Sequence, residues 1–279
     1  AASDVYKRQV ARLPYFGEMA AEVLDGTKHL IILGTQAPVT FFAYPDKPNY
    51  LTPEGCELHT LAERDEDIDG ALEALVDAVG AIKVQPILTD LEIPGLPSGD
   101  LNQRSAGTTL AHYLPENAII VDEGGMNGGG SIAATRTGKP HDWLILTGGA
   151  IGFGLPCATG AAVACPEQRV ISLQADGSGM YTNQALWTQA REGLNITTIL
   201  FANQRYGILQ VEFGRVGAHN PGPKAMSMLD LTNPELKWTD IAKGMGVPAW
   251  RVTTVDEYAD ALKKSFATPG PALIEVMVP

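Results

Sequence analysis

The sequence predicts an α/β protein: a doubly wound parallel sheet preceded by a partial Rossmann-like α/β domain. Three observations carry that expectation. Mainly apolar runs such as Val170–Leu173 and Ile196–Ala202 read as strands buried on both faces. Segments with helical spacing or helix caps alternate with these runs, the pattern of βα units. The runs end in Asp176 and Asn203, and a right-handed crossover would bring both to the carboxyl edge of one sheet, where open α/β sheets bind ligands.

In chain order, Tyr15–Leu24 has helical spacing, Gly26 ends it, and His29–Leu33 reads as a strand. The aromatic run Phe41, Phe42, Tyr44 suits a core or an interface. Glu57–Leu61 is a second short strand, Glu63–Asp69 an acidic solvated turn, and Asp69–Ile82 an amphipathic helix. These elements alternate correctly but are too few for a whole doubly wound domain, so residues 10–84 are expected to be part of a middle domain. Gln85–Asp100, with Pro86, Pro94, Pro97, Gly95 and Gly99, reads as a linker.

A second domain is expected over 101–279. Asp100 can cap a helix to Leu114, and Ala118–Asp122 is a strand ending in the glycine-rich loop EGGMNGGG. Trp143–Leu146 reads as a strand and Gly152–Ala164 as a buried helix. After the strand, glycine turn, helix and strand of residues 170–202 come a helix near Trp238–Met245 and a strand at Ala249–Val252. Thr254 and Glu257 then form a capping box that starts a helix to Phe266, and Ala272–Val278 is the last strand. The first nine residues, AASDVYKRQ, lack apolar periodicity and contribute no expected element.

The chain has 279 residues, 45% hydrophobic and 19% charged, ordinary for one or two globular domains. Its net charge of -12 and lack of a basic cluster argue against nucleic-acid binding, which needs Lys and Arg to neutralise phosphate. Small molecules and other protein chains are the expected partners. Cys56, Cys157 and Cys165 form no disulfide framework or zinc spacing, which fits a reducing cytoplasm. The most apolar stretch, Ala150–Cys165, is short for a membrane span and is broken by Gly152, Gly154, Pro156 and Gly160. No signal peptide is recognised.

The stretch ADGSGMYTNQALWTQAREGLNITTILFANQRYG, Ala175–Gly207, concentrates candidate chemistry. A hard divalent cation such as magnesium takes oxygen ligands, with carboxylates, substrate phosphates and water in its shell. Asp176 offers a carboxylate, Asn203 an amide oxygen and Arg205 a backbone carbonyl. Gly177 permits a tight turn, while the Ser178 hydroxyl and the amides after it would face an anion. An Asp-Gly turn after a strand is common and Asn at a strand end is unremarkable, so the spacing alone leaves plain turn chemistry equally open.

The same stretch resembles the signature of the thiamine-diphosphate enzymes, nearest to the acetolactate synthase and benzoylformate decarboxylase group, and the resemblance covers nearly the whole chain. It implies the thiamine-diphosphate-binding fold, with Asp176, Asn203 and the Arg205 carbonyl holding Mg2+. Cofactor contacts are implied at Gly125 and Met126 in the Asp122–Gly128 loop, and at Gly177, Ser178 and Tyr206. In GGAIGFGLP, Gly148–Pro156, the resemblance places on Gly149 a carbonyl that accepts from the cofactor's aminopyrimidine, and on Ile151 the bulky side chain that holds the cofactor bent. Ile208, Leu209 and Glu212 match pocket-lining positions. The implied reaction is decarboxylation of a 2-oxo acid, followed by protonation or by carboligation. A non-catalytic α/β module that oligomerises is the expectation from a different class.

Departures limit the resemblance. Ala175 and Ala202 stand where Gly and Asn are usual, though neither is an expected ligand. Ala43 occupies the position of an active-site histidine of benzoylformate decarboxylase. Glu212 is acidic where that enzyme is aromatic, which suits a polar or cationic substrate group or a proton carrier. The pyrimidine-binding domain with its catalytic glutamate has no counterpart, so no catalytic residue is assigned in this chain. The expected partners are therefore a 2-oxo acid, a pyrimidine-binding domain in a longer parent or a separate subunit, and further copies in a homo-oligomer. Flavin is not supported by this stretch. The glycine loops GAIGFG and GGMNGGG lack the nicotinamide-binding order. Of the scattered His29, His59, His112, His141 and His219, only His219 is placed to reach a substrate.

Overall fold

The computed structural model describes residues 12–85, 87 and 89–279, together with the backbone pairing of Ala2–Ser3. Residues 10 and 11 of the expected middle domain and Pro86 and Leu88 of the expected linker lie outside the described residues. The chain forms two compact units. One comprises Ala1–Gln9, Leu88–Phe213 and His219–Pro279, the other Val10–Ile87 with Gly214–Ala218.

In the smaller unit, α1 (Gly17–Leu24) precedes β2 (His29–Leu33), and β2 pairs in parallel with β3 (Glu57–Ala62) before α2 (Ile68–Ala78). The Asp67 side chain caps α2 by accepting the Gly70 N–H at 3.0 Å. Gly80 in left-handed backbone turns the chain into a short 3-10 helix, Ala81–Lys83, so α2 stops well short of Ile82. Ala20, Ile32, Tyr44, Leu51 and Ala62 are the buried apolar residues here. The Arg215 guanidinium lies 4.2 Å from the ring centroids of both Phe16 and Tyr44 and holds Glu18 bidentately at 2.8 and 3.0 Å.

The larger unit is built on a seven-stranded sheet. Its strands are β1 (Ala2–Ser3), β4 (Ala118–Glu123), β5 (His141–Ile145), β6 (Val170–Ala175), β7 (Ile196–Ala202), β8 (Ala249–Val252) and β9 (Ala272–Met277), in the spatial order β1-β5-β4-β6-β7-β9-β8. β1 pairs antiparallel with β5 and all other pairings are parallel. Every residue of β7 is buried, as an apolar strand covered on both faces requires. Helices α3 (Gln103–Tyr113), α4 (Gly125–Thr135), α5 (Gly154–Ala164), α6 (Ala185–Arg191), α7 (Gly207–Arg215, whose last two residues belong to the smaller unit), α8 (Pro223–Ser227), α9 (Trp238–Gly244) and α10 (Val255–Ala267) complete it.

Alternate strand residues serve opposite cores. Ile120 packs with Leu110 of α3 and Tyr258 and Leu262 of α10, while its neighbours Ile119 and Val121 pack with Ala158 and Ala162 of α5. On the latter side Leu155, Leu186 and Trp238 join Leu200 and Leu273. Fully burying a side chain such as Leu110 contributes about 2 kcal/mol. β4 has β5 on one side and β6 on the other, so the direction of winding reverses between β4 and β6. A crevice opens beyond the carboxyl ends at such a reversal.

Several element boundaries differ from the sequence expectation for physical reasons. The glycine-rich segment after Asp122 is mostly helix, not loop. A Cβ on Gly107 of α3 would lie 2.4 Å from the Gly130 backbone, and one on Gly130 would lie 2.2 Å from the Gln103 carbonyl oxygen. The missing side chains let α3 and α4 pack backbone to backbone, which offsets the poor helix propensity of glycine. Asn102, not Asp100, caps α3: its side chain accepts from Arg104 and Ser105, and the Asn102 N–H donates to Ser105 Oγ at 2.9 Å. Gly152 has φ 92° and cannot be helical, so α5 starts at Gly154.

Residues 89–100 carry no helix or strand and run along the larger unit: Glu92 exchanges bonds with Thr137 at 2.8 and 3.0 Å, and the Pro94 carbonyl lies 2.8 Å from His112 Nδ1. Among the described residues no helix is long and apolar enough to cross a membrane.

Candidate functional site

The carboxyl ends of β4, β6 and β7 carry the candidate residues. Asp176 follows β6 and is only 3% exposed. Its Oδ1 accepts the Gly177 N–H at 2.8 Å and its Oδ2 accepts the Gln204 N–H at 2.7 Å, which ties the turn after β6 to the turn after β7. Burial raises the Asp176 carboxyl above the usual range, while backbone N–H groups of Gln204, Gly177 and Asn203 oppose the rise. Among the described residues it forms no ion pair. A buried carboxylate with spare lone pairs and no ion pair among the described residues suits a metal cation as its counter-charge.

Asn203 follows β7, and its Oδ1 accepts the Arg205 N–H at 3.2 Å. The backbone of this turn is pinned to the segment before Thr232, with Tyr206 N–H on the Leu229 carbonyl at 2.9 Å and Leu231 N–H on the Gln204 carbonyl at 3.0 Å. The Arg205 carbonyl takes no part in either bond. Two cavities of about 350 and 430 Å³ adjoin this turn, and Asn203 and Arg205 line both. The first also meets Met126 and Asn127 of α4 and Gln210 of α7.

Close packing under the Asp-Gly turn explains its glycines. A Cβ on Gly177 would lie 2.4 Å from the Tyr206 ring, and one on Gly179 would lie 2.8 Å from the Trp238 indole. Trp238, fully buried in α9, donates its indole N–H to the Asp176 carbonyl at 3.2 Å. Instead of running directly into a helix, the chain makes a 3-10 turn at Ser178–Tyr181 before α6. The Ser178 hydroxyl turns back to the Ala175 carbonyl at 3.4 Å.

The loop between β5 and α5 is held by a residue that sequence reasoning missed. Glu123, 3% exposed at the end of β4, accepts the Gly152 N–H on Oε1 at 2.5 Å and the Gly154 N–H on Oε2, and Gln174 Nε2 lies 3.4 Å away. Thr182 closes the same loop through the Gly152 carbonyl at 2.9 Å. These bonds leave Gly149 exposed with φ 66° and Ile151 exposed just before the clamped residues. Gly125 opens α4 with φ 57°, Met126 is exposed beside it, and the Asp122 carboxylate accepts the Gly124 N–H at 3.0 Å.

Ile208 and Leu209 are exposed on the first turn of α7, and Glu212 is half-buried one turn further on. Neither Gly149, Ile151 nor Asp176 lines the two cavities, which sit on the Asn203 side. His219, in an exposed loop, lines neither. Glu123 and Trp238 carry no local sequence signal: one stands beside a recognised loop, and the other lies far along the chain in an ordinary helix.

The fold and this edge define a doubly wound α/β domain with oxygen donors and glycine turns gathered at its switch point, the class that holds phosphorylated cofactors. Residues 125–276 match the family described as thiamine pyrophosphate enzyme, C-terminal TPP binding domain, and the chain belongs to that family. It is 52% identical over 271 residues, 97% of this chain and 52% of the relative, to the Mycobacterium tuberculosis protein named "Putative acetolactate synthase large subunit IlvX". It is 31% identical over 273 residues to the benzoylformate decarboxylase of Pseudomonas aeruginosa, covering 92% of this chain and 49% of that one. The fold is like that of the Rhodococcus jostii RHA1 thiamine diphosphate-dependent 4-hydroxybenzoylformate decarboxylase, with a TM-score of 0.76 at 24% identity, covering 95% of this chain and 51% of the other. The chain spans about half the length of the curated relatives it matches.

Proposed function

We propose that this chain binds Mg2+ and the diphosphate of thiamine diphosphate as part of an acetolactate synthase-like 2-oxo acid decarboxylase and carboligase. The observation that carries the reading is the Asp176 carboxylate, buried without a cationic partner among the described residues and joined through the Gln204 N–H to the turn of Asn203. Asp176 and Asn203 supply side-chain oxygens and Arg205 a carbonyl, all hard donors suited to magnesium. Gly177, Ser178, Tyr206, Gly125 and Met126 flank the diphosphate.

The Glu123 clamp presents the Gly149 carbonyl and the Ile151 side chain toward the organic part of the cofactor. When bound, thiamine diphosphate supplies the nucleophilic carbon and electron sink that decarboxylation of a 2-oxo acid needs. Ile208, Leu209 and Glu212 face the substrate, and Glu212 is suited to hold a cationic substrate group or carry a proton.

The proton-donating catalytic glutamate belongs to a pyrimidine-binding domain of a longer parent or of another subunit. Support comes from Met126, Ile151, Ile208 and Leu209, apolar side chains exposed around a ligand-binding edge, as surfaces covered by a cofactor or another chain are. Residues 10–84 are then part of a middle domain, 85–100 a linker, and 101–279 the diphosphate-binding domain. The three free thiols fit the cytoplasm.

Calorimetry with Mg2+ and thiamine diphosphate, with a pyrimidine-domain partner chain present, tests the reading. Magnesium-dependent binding that Asp176→Ala abolishes is expected. No binding with the partner present overturns the cofactor assignment, and unchanged binding by Asp176→Ala overturns the ligand assignment.

A further inference from the structure

Two of the histidines that look scattered in the sequence meet in the smaller unit. His29 pairs opposite Glu57 and Ile31 opposite His59 across the parallel strands β2 and β3. Alternate residues of a strand share a face, so His29, Glu57 and His59 lie on the same one. Three atoms close a triangle there. His29 Nδ1 is 3.0 Å from His59 Nε2 and 3.5 Å from Glu57 Oε2, and Glu57 Oε2 is 4.0 Å from His59 Nε2. The side chains of His29, Glu57 and His59 are 64%, 67% and 44% exposed, open to an ion from solution.

We infer that His29, Glu57 and His59 form a binding site for a first-row divalent cation of the zinc type. A tetrahedral zinc with bonds of about 2.0–2.2 Å holds its donors about 3.3 Å apart, and the three separations bracket that spacing. Two imidazoles and one carboxylate form a donor set that zinc accepts, with a fourth position left for water. Magnesium, which prefers oxygen throughout, is poorly served by it, so this site and the Asp176 turn select different ions. A cation here ties β2 to β3 and stabilises the folded unit, because the unfolded chain does not hold the three groups together.

The test is calorimetric titration of zinc chloride into the full chain, stripped of metal and free of magnesium, at about pH 7.5. One saturable site is expected, and zinc should raise the unfolding temperature of the smaller unit. His59→Ala and Glu57→Gln should each weaken binding at least about tenfold, the loss that even outer-shell partners of a metal produce. Cobalt(II) in place of zinc should give the visible absorption of a tetrahedral site. All three side chains are exposed, so the variants should keep the parent's circular dichroism. Absence of saturable zinc uptake by the parent overturns the inference. So does parental affinity in the His29→Ala/His59→Ala double variant, or uptake that is lost with Asp176→Ala but not with His59→Ala.

Discussion

Glu123 holds Gly152 by accepting its backbone N–H at 2.5 Å, and with its second oxygen it holds Gly154. One buried carboxylate at the end of β4 therefore sets the path of the loop that carries Gly149 and Ile151. Glu123→Ala leaves two buried N–H groups without an acceptor, at about 1–3 kcal/mol each. We expect urea unfolding to show a loss of about 3 kcal/mol and hydrogen exchange to rise at Gly152 and Gly154. Thiamine diphosphate affinity should fall although Asp176 and Asn203 are intact.

Gly177→Ala places a methyl group 2.4 Å from the Tyr206 ring, although the Gly177 backbone itself, with φ -75°, would accept a side chain. The ring or the turn must move, a shift that costs about 1–3 kcal/mol. We expect lower stability and weaker Mg2+ binding in the same variant. A Gly177→Ala, Tyr206→Ala double variant should recover part of the stability, measured as coupling in a double-mutant cycle.

The raised Asp176 carboxyl makes the metal-free chain sensitive to pH in a defined direction. With its folded value above its unfolded value of about 3.8, the folded state holds the extra proton between the two. This contribution to stability is full below the unfolded value and is lost as pH rises through the folded one. Urea unfolding in chelator, followed from about pH 4 upward, should show this component in the parent and lack it in Asp176→Asn. Magnesium needs the ionised form, so its affinity should weaken as pH falls through the raised value.

The smaller unit should respond to acid in the opposite sense. Its Arg215 partner lowers the Glu18 carboxyl from 4.5 to about 2. Its contribution is full above the unfolded value and is lost as pH falls through about 2. Hydrogen exchange in residues 12–85 should accelerate over that window in the parent, and Glu18→Gln should remove the pH dependence while leaving a weaker fold at neutral pH.

The boundaries that follow from local chemistry are legible in the residues themselves. β7 and β8 have the bounds expected for them, and the Thr254–Glu257 capping box starts α10 as expected. The glycine-rich start of α4 misleads because helix propensity is a local measure, whereas the contact of Gly130 with α3 is not. Tyr44 is buried as an aromatic core residue should be, while Phe41 and Phe42 beside it are exposed.

The sequence by itself determined the alternation of strands and helices, the placement of Asp176 and Asn203 at strand ends, and the family resemblance, because buried strands, caps and turns are written in neighbouring residues. Only the tertiary structure decided that Glu123 grips Gly152, that Trp238 supports the Asp176 carbonyl, and that His29 comes within 3.0 Å of His59. Those partners are distant in the chain. Their pairing depends on which strands lie side by side and in what register, and no local period or propensity records that.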